Sequence, residues 1–463
     1  MLNFQPITLQ DRACIESYTM QRGLMNCDLS FANIFCWREL YQSAWAEVEH
    51  SLVIRFKIDG GKRIGYMEPI GEGELTRIIP LLEADAAALG QPLRLVGLRR
   101  ETADRLAELY PEKFAFYADP ATQDYIYRAE DLRALTGRNY QPKRNHINRF
   151  CTLYPDYSYQ PLTAERIEEC IRLEQEWCRH RGGCTDGSLL SERQAMQNAF
   201  ANFEALGLMG GCLYVGDELV AFTYGSWLNH NTIDIHIEKA DTRYEGAFTM
   251  INRLFAEQLP PEALWINREE DLGIEGLRKA KRSYYPAELL TKVEAVAIDP
   301  AQQACKRLWE RCFPEDEPTF IDWFLTRYSA SERMISCTAE GQTVAMVHRI
   351  AFESPIGRIN YLYALATDPD YRHRGYASQL VEQVLEADRA EGCVATLLIA
   401  ATPELRTFYA ERGFEGAYPI AFYTPDKFDF GTGSPELDRA MCYRHTAEAL
   451  PEHMVLTYLS NQP

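Results

Sequence analysis

At 463 residues the chain is long enough for two to four domains rather than a single core. Its apolar share of 46% and charged share of 25% are those of a globular protein, and no apolar run approaches the length of a bilayer crossing. The formal net charge of −19 is spread along the chain, which argues against a protein that follows nucleic acid through a general positive field. DNA is therefore not an expected partner, and tRNA is a disfavoured one that a local basic patch could still accommodate. The N-terminus lacks the basic start and apolar run of an export signal. Thirteen scattered cysteines form no paired C-x-x-C framework, so free thiols and a cytoplasmic location are expected. Cys178, His180 and Cys184 come closest to metal spacing but lack a fourth ligand, and no metal is expected.

In chain order, residues 26–37 read as a helix capped by Asp28 or Ser30, with Phe31, Ile34, Phe35 and Trp37 on its apolar face. Strands are expected at 46–58 and 63–68 around the turn Asp59-Gly60-Gly61. Helices follow at 73–89 and 100–110, with a strand at 93–98 between them. Charged residues then gather beside apolar, strand-like runs. They are Lys143, Arg144 and Asn145; His236, Glu238 and Lys239; Asn267, Arg268, Glu269 and Asp271; and Arg278 with Lys281. So many charges in such settings are costly unless paired or functional. They form either a second site or an ion-pair network that cements two modules.

This series, together with Asp124-Tyr125-Ile126-Tyr127 and Gly276–Tyr284, resembles the DUF2156 family. That family is related to the catalytic domain of phosphatidylglycerol lysyltransferases and, more distantly, to the FemABX peptidyltransferases. The resemblance implies two tandem acetyltransferase-like folds, 1–140 and 141–298. It also implies that some of Lys143, Arg144, His236, Glu238, Asn267, Arg268, Asp271, Arg278 and Lys281 line a second site where a carbonyl and an amine meet.

A third module is expected at 299–463. Helices are expected at 302–312 and 320–328, strands at 334–338 and 344–352, and a closing strand within 439–458, best placed at 454–458. The apolar run 361–367 ends at Asp368-Pro369-Asp370, and a helix with Leu380, Val381, Val384 and Leu385 on one face follows. Between them stand Arg372, His373, Arg374, Gly375, Tyr376, Ala377 and Ser378. Two cations and a glycine before a helix N-terminus suit an anion, because free N–H groups and the positive dipole end point there. The pattern Arg372-x-x-Gly375-x-Ala377 resembles the pyrophosphate loop of the GNAT superfamily of N-acetyltransferases. The run 394–400 and the segment Thr402–Phe414 resemble the other half of that signature. The resemblance implies that acetyl-CoA is the acyl donor, held by Leu365, Ala366, Thr367 and the loop 372–378. It also implies that the strands splay around the pantetheine arm and that Tyr409 protonates the departing thiolate. No carboxylate stands on the strand before the loop; His348, Glu353, Glu315, Asp316 and Glu317 are alternatives for the base.

The layout recurs inside the chain. Arg243-x-x-Gly246-x-Phe248 lies over the 372–377 pattern, and Gly276–Lys281 lies over Glu404–Tyr409. Phe248 and Lys281 stand where the last copy has Ala377 and Tyr409, so the middle module is expected to have lost acetyl-CoA chemistry. The whole reads as an α/β protein with mixed sheets and three GNAT-like modules. Its expected activity is acetylation of a primary amine on a small molecule or peptide. The alternatives are aminoacyl-tRNA-dependent transfer by the first unit, and a non-catalytic acetyl-CoA-binding sensor or scaffold.

Overall fold

The computed structural model describes residues 2–20, 23–180, 187–328, 333–424, 428–431, 439–447 and 454–459. The chain forms two compact units, Met1–Leu109 with Ala118–Glu294, and Tyr110–Tyr117 with Ala295–Pro463. Both are α/β bodies built on mixed sheets. Among the described residues no helix is long and apolar enough to cross a membrane.

In the first unit one sheet runs Gln5–Pro6, Ala44–Val48, Ser51–Ile58, Arg63–Met67, Arg94–Leu98, antiparallel except for its last pair. The expected strand at 46–58 is therefore two strands. Val48 pairs with Ser51 across a two-residue turn at Glu49 and His50, both at positive φ (48° and 59°). Neither residue is the Gly or Asn that normally marks such a turn, so alternation runs through it unbroken. The second sheet has the order Glu288–Leu290, Asp124–Arg128, Trp265–Asn267, Thr232–Ala240, Glu218–Asn229, Met209–Val215, Tyr157–Pro161. Its inner strand Glu218–Asn229 is buried at almost every position, which is why it carries the apolar run Leu219–Phe222. Helices Gln141–Leu153 and Ala247–Gln258 bury Ile147, Phe150, Met250, Ile251 and Phe255 in one core with Tyr127, Ile233 and Ile266 from the strands.

The second unit's sheet runs Met334–Ala339, Gln342–Ser354, Gly357–Thr367, Ala395–Leu398, Arg439–Arg444, Glu415–Tyr423, Met454–Tyr458. Met454–Tyr458 pairs both with Glu415–Tyr423 and, at Phe352 and Glu353, with Gln342–Ser354, so six strands close into a ring. Closure gives Met454–Tyr458 a second partner, while Met334–Ala339 stays outside the ring, paired to Gln342–Ser354. Phe352, Tyr361, Phe422 and Phe430 pack in edge-on and tilted pairs in this unit's core. The segment 439–458 thus supplies two strands rather than one closing strand.

One cysteine departs from the expectation of free thiols: Cys178 is disulfide-bonded. The other described cysteines are free. Cys184 and the side chain of His180 lie outside the described residues.

Candidate functional site

In the second unit the strand Gly357–Thr367 breaks its register with Gln342–Ser354 between Tyr363 and Ala366, and Ala364 sits at φ 49°. This is a β-bulge, which bends the strand and re-aims its last residues. On the other side its pairing with Ala395–Leu398 covers only Ile359, Asn360 and Tyr361. From Leu362 onward the two strands are not paired, so Leu365, Ala366 and Thr367 lie beyond the paired part of that edge.

The chain then turns through Asp368, whose side chain accepts from Asp370 N at 2.9 Å. Arg311, on helix Pro300–Cys312, donates to Asp368 (2.8 Å) and Asp370 (2.5 Å) and fixes the base of the loop. Arg372 and Arg374 donate to the carbonyls of Thr367 (3.3 Å) and Asp370 (3.0 Å), and the Arg374 guanidinium lies 4.8 Å from the Tyr371 ring centre. His373 (φ 61°) and Gly375 (φ 88°) are both left-handed, and helix Tyr376–Ala390 starts behind Gly375 with no side-chain cap. Its first internal bond is Gln379 N to Gly375 O, so the N–H groups of Tyr376, Ala377 and Ser378 remain available. Nothing lies within 4 Å of a Cβ built on Gly375. The turn is therefore open, with the first-turn N–H groups beside it.

Helix Pro403–Ala410 brings Tyr409 to this place. Its ring packs in the core that holds Leu362, Leu380 and Leu398, with Leu365, Tyr376 and Phe408 against the same core. Burial pushes the Tyr409 phenol well above its ordinary value despite the opposing charge of Arg412, so it stays protonated. The hydroxyl has no hydrogen-bond partner among the described residues. Arg412 lies 3.6 Å from the Phe408 ring centre and donates to Ser378 Oγ at 2.7 Å, tying this helix to the first turn of the other. Arg311 and Arg412 escaped the sequence reading, because their partners lie 57 and 34 residues away. His348 is an unpromising base: it is buried against Trp309 and Phe324, and desolvation lowers its pKa to about 3.

The middle copy differs in space as well as in sequence. A Cβ on Gly246 would meet the His146 carbonyl oxygen at 2.7 Å and Phe150 Cβ at 3.2 Å, because helix Gln141–Leu153 covers that loop. Arg243 is folded onto Asp241 at 2.5 Å, and the Lys281 ammonium donates to the carbonyls of Arg268 and Glu270.

The charged residues of the first unit divide into groups. Arg268 donates to Glu238 at 2.9 Å, Asn252 donates to the other Glu238 oxygen at 3.0 Å, and Lys143 and Arg268 lie 3.7 and 5.0 Å from the Tyr284 ring centre. Desolvation, and then the Arg268 charge, bring Lys143 down to about 8. Asp271 accepts from Tyr125 (2.7 Å) and Arg278 (2.7 and 2.9 Å); burial opposes its ionisation, but these bonds hold it at about 2. Asn267 donates to Met25 O and Asp124, and Arg144 donates to Gly137 O and Gln141, closing the preceding helix end. His236 meets Ser226, Glu269 and Asp234. Sequence reasoning missed Lys292, a buried hub that pairs with Asp28 (3.1 Å), Asp124 (2.9 Å) and Glu270. It also missed Asp234, fully buried beside His236.

Residues 22–293 match the family model described as phosphatidylglycerol lysyltransferase, C-terminal, and residues 299–417 match that of the acetyltransferase (GNAT) domain. The crystal structure of a conserved protein of unknown function from Bacteroides thetaiotaomicron VPI-5482 is 45% identical, covers 64% of this chain and 100% of its own, and has a TM-score of 0.62. The structure of L-PGS from Bacillus licheniformis is 15% identical over 65% of this chain and 96% of its own, with a TM-score of 0.46. An uncharacterized protein of Mycoplasmoides gallisepticum is 25% identical over 174 residues. That match takes in 37% of this chain and 55% of the relative, so the chain spans about half the length of this curated relative.

Proposed function

The chain belongs to the phosphatidylglycerol lysyltransferase C-terminal family, and from its second unit we propose that it is an acyltransferase that moves acetyl from acetyl-CoA to a primary amine. One observation carries this reading. The strand edge left unpaired after Tyr361, the open turn at Gly375 and the protonated Tyr409, which packs in the same core as Leu365 and Tyr376, together support it.

Acetyl-CoA supplies the activated thioester. Its pyrophosphate suits the free N–H groups of Tyr376, Ala377 and Ser378, with Arg372 and Arg374 adding charge beside them. The edge of Leu365–Thr367 that Ala395–Leu398 leaves unpaired offers backbone groups to the pantetheine amides. The attacking amine, with an ordinary pKa of about 10, must arrive neutral. As the nitrogen–carbon bond forms and the carbon–sulfur bond breaks, the Tyr409 hydroxyl donates its proton to the departing sulfur, and the proton shed by the acylated nitrogen restores the phenol.

Titration calorimetry with acetyl-CoA, followed by thiol release across an amine panel, tests the proposal. Saturable binding with amine-dependent release is expected. Binding without release would favour a sensor or scaffold, and no binding at millimolar acetyl-CoA would overturn the loop reading.

A second reading, aminoacyl transfer from a charged tRNA by the first unit, draws on the family's name and on Lys143. This amine has a pKa lowered to about 8 and lies beside Arg268, which suits work near an acyl carbonyl or a phosphate. Binding of aminoacyl-tRNA that weakens steeply with salt would favour it.

A further inference from the structure

Three ligand-bearing side chains of the first unit converge: those of Asp234, His236 and Glu269. Asp234 and His236 alternate onto one face of the strand Thr232–Ala240, and Glu269 follows the parallel neighbour Trp265–Asn267. His236 Nδ1 lies 3.3 Å from Glu269 Oε1 and 3.6 Å from Asp234 Oδ2, and one donor atom of each residue falls within 4.8 Å of the others. Ligands at about 2.1 Å from a tetrahedral ion stand about 3.4 Å apart, so these separations fit a shared cation with little movement.

The electrostatics ask for such an ion. Among the described residues no lysine or arginine pairs with Asp234 or Glu269, because Lys292 is engaged by Asp28, Asp124 and Glu270, and Lys281 by backbone carbonyls. Asp234 is 0% exposed, and its second oxygen, Oδ1, has no hydrogen-bond donor. An unsatisfied buried carboxylate oxygen is expensive, and bidentate coordination would satisfy both oxygens.

The surroundings match a metal site as well. His236 Nε2 lies 2.9 Å from Ser226 Oγ, the outer hydrogen bond that fixes a ligating imidazole and leaves Nδ1 for the metal. The Asn33 carboxamide nitrogen lies 2.9 Å from Glu269 Oε1 and 3.3 Å from Asp234 Oδ2 and also donates to the Cys27 carbonyl at 3.2 Å, so it holds the two carboxylates side by side. Glu269, with 24% of its side chain exposed, gives the cluster its opening to solvent.

We propose that Asp234, His236 and Glu269 hold one divalent transition-metal ion. One imidazole with two carboxylates suits Zn2+ or Mn2+.

The test uses the full chain stripped with EDTA and titrated with ZnCl2 and with MnCl2 by calorimetry, with melting followed in parallel. Wild type should bind one equivalent of at least one metal, with a melting temperature that climbs with metal concentration. His236→Gln and Glu269→Gln, checked for folding by circular dichroism, should each weaken that binding at least tenfold. Absence of saturable binding by wild type overturns the proposal whatever the variants do. So does binding that both variants retain within twofold, which would mark an adventitious surface site. Stabilisation by an organic diamine but by neither metal would also overturn it, making the cluster an ammonium pocket.

Discussion

Replacing the same glycine of the two repeated loops should separate a working cofactor loop from a buried one. Gly375→Ala places its methyl in open space, so the structural cost is the left-handed backbone at φ 88°, about 1–2 kcal/mol. The methyl stands where a pyrophosphate would approach the N–H groups of Tyr376–Ser378. Loss of one or two charge-assisted hydrogen bonds, about 1.5–3 kcal/mol each, weakens acetyl-CoA binding about tenfold or more. Gly375→Glu adds negative charge and should abolish detectable binding in a folded protein. Gly246→Ala has the same backbone penalty at φ 91°, and its methyl would also sit 2.7 Å from the His146 carbonyl oxygen. Overpacking adds about 1–3 kcal/mol, for a total of about 2–5 kcal/mol of lost stability, with acetyl-CoA affinity unchanged. Urea melts and calorimetric titration of the three variants give both readouts. Full acetyl-CoA affinity in folded Gly375→Glu, or loss of affinity in folded Gly246→Ala, would refute the assignment of the two loops.

Two further predictions concern titration. His348 is neutral in the fold and takes up a proton on unfolding below its ordinary value of 6.5, so the stability it protects above that pH is lost as pH falls toward 3. Between pH 7.5 and 4.5 wild type should lose about 3 kcal/mol more than His348→Leu in urea titrations, and parallel pH profiles would contradict this. Lys143, lowered to about 8, should be half-maximally labelled by acetic anhydride near that pH in competitive-labelling mass spectrometry; a midpoint near 10 would show an ordinary solvated amine.

What could be read from the sequence was local chemistry. Gly375 and its neighbours announce a helix start because a left-handed cap and an uncapped first turn are properties of a few adjacent residues. Helices Pro300–Cys312 and Pro318–Arg327 were expected two residues late, because the proline that opens each belongs to its first turn. The parts that escaped are long-range. Lys292 meets Asp124 across 168 residues, His146 closes over Gly246 across 100, and Met454–Tyr458 completes a ring begun at Gln342. No periodicity encodes such pairings. Asp234 had a local signal, since Asp234, His236 and Glu238 alternate along one strand, but its partner Glu269 lies 35 residues further on, and only burial beside His236 and Glu269 shows what the alternation assembles.

The central claim is that the reacting centre lies at Tyr409 and not in the middle copy. Single-turnover thiol release from saturating acetyl-CoA, with an accepted amine, measures this directly in Tyr409→Phe and Lys281→Met. Tyr409→Phe keeps the ring in its core and should lower the rate about 10²–10⁴-fold, the usual worth of a positioned acid, with acetyl-CoA affinity nearly unchanged. Lys281→Met should leave the rate as it is. A rate that survives Tyr409→Phe but collapses in folded Lys281→Met would place the chemistry in the first unit and contradict the account.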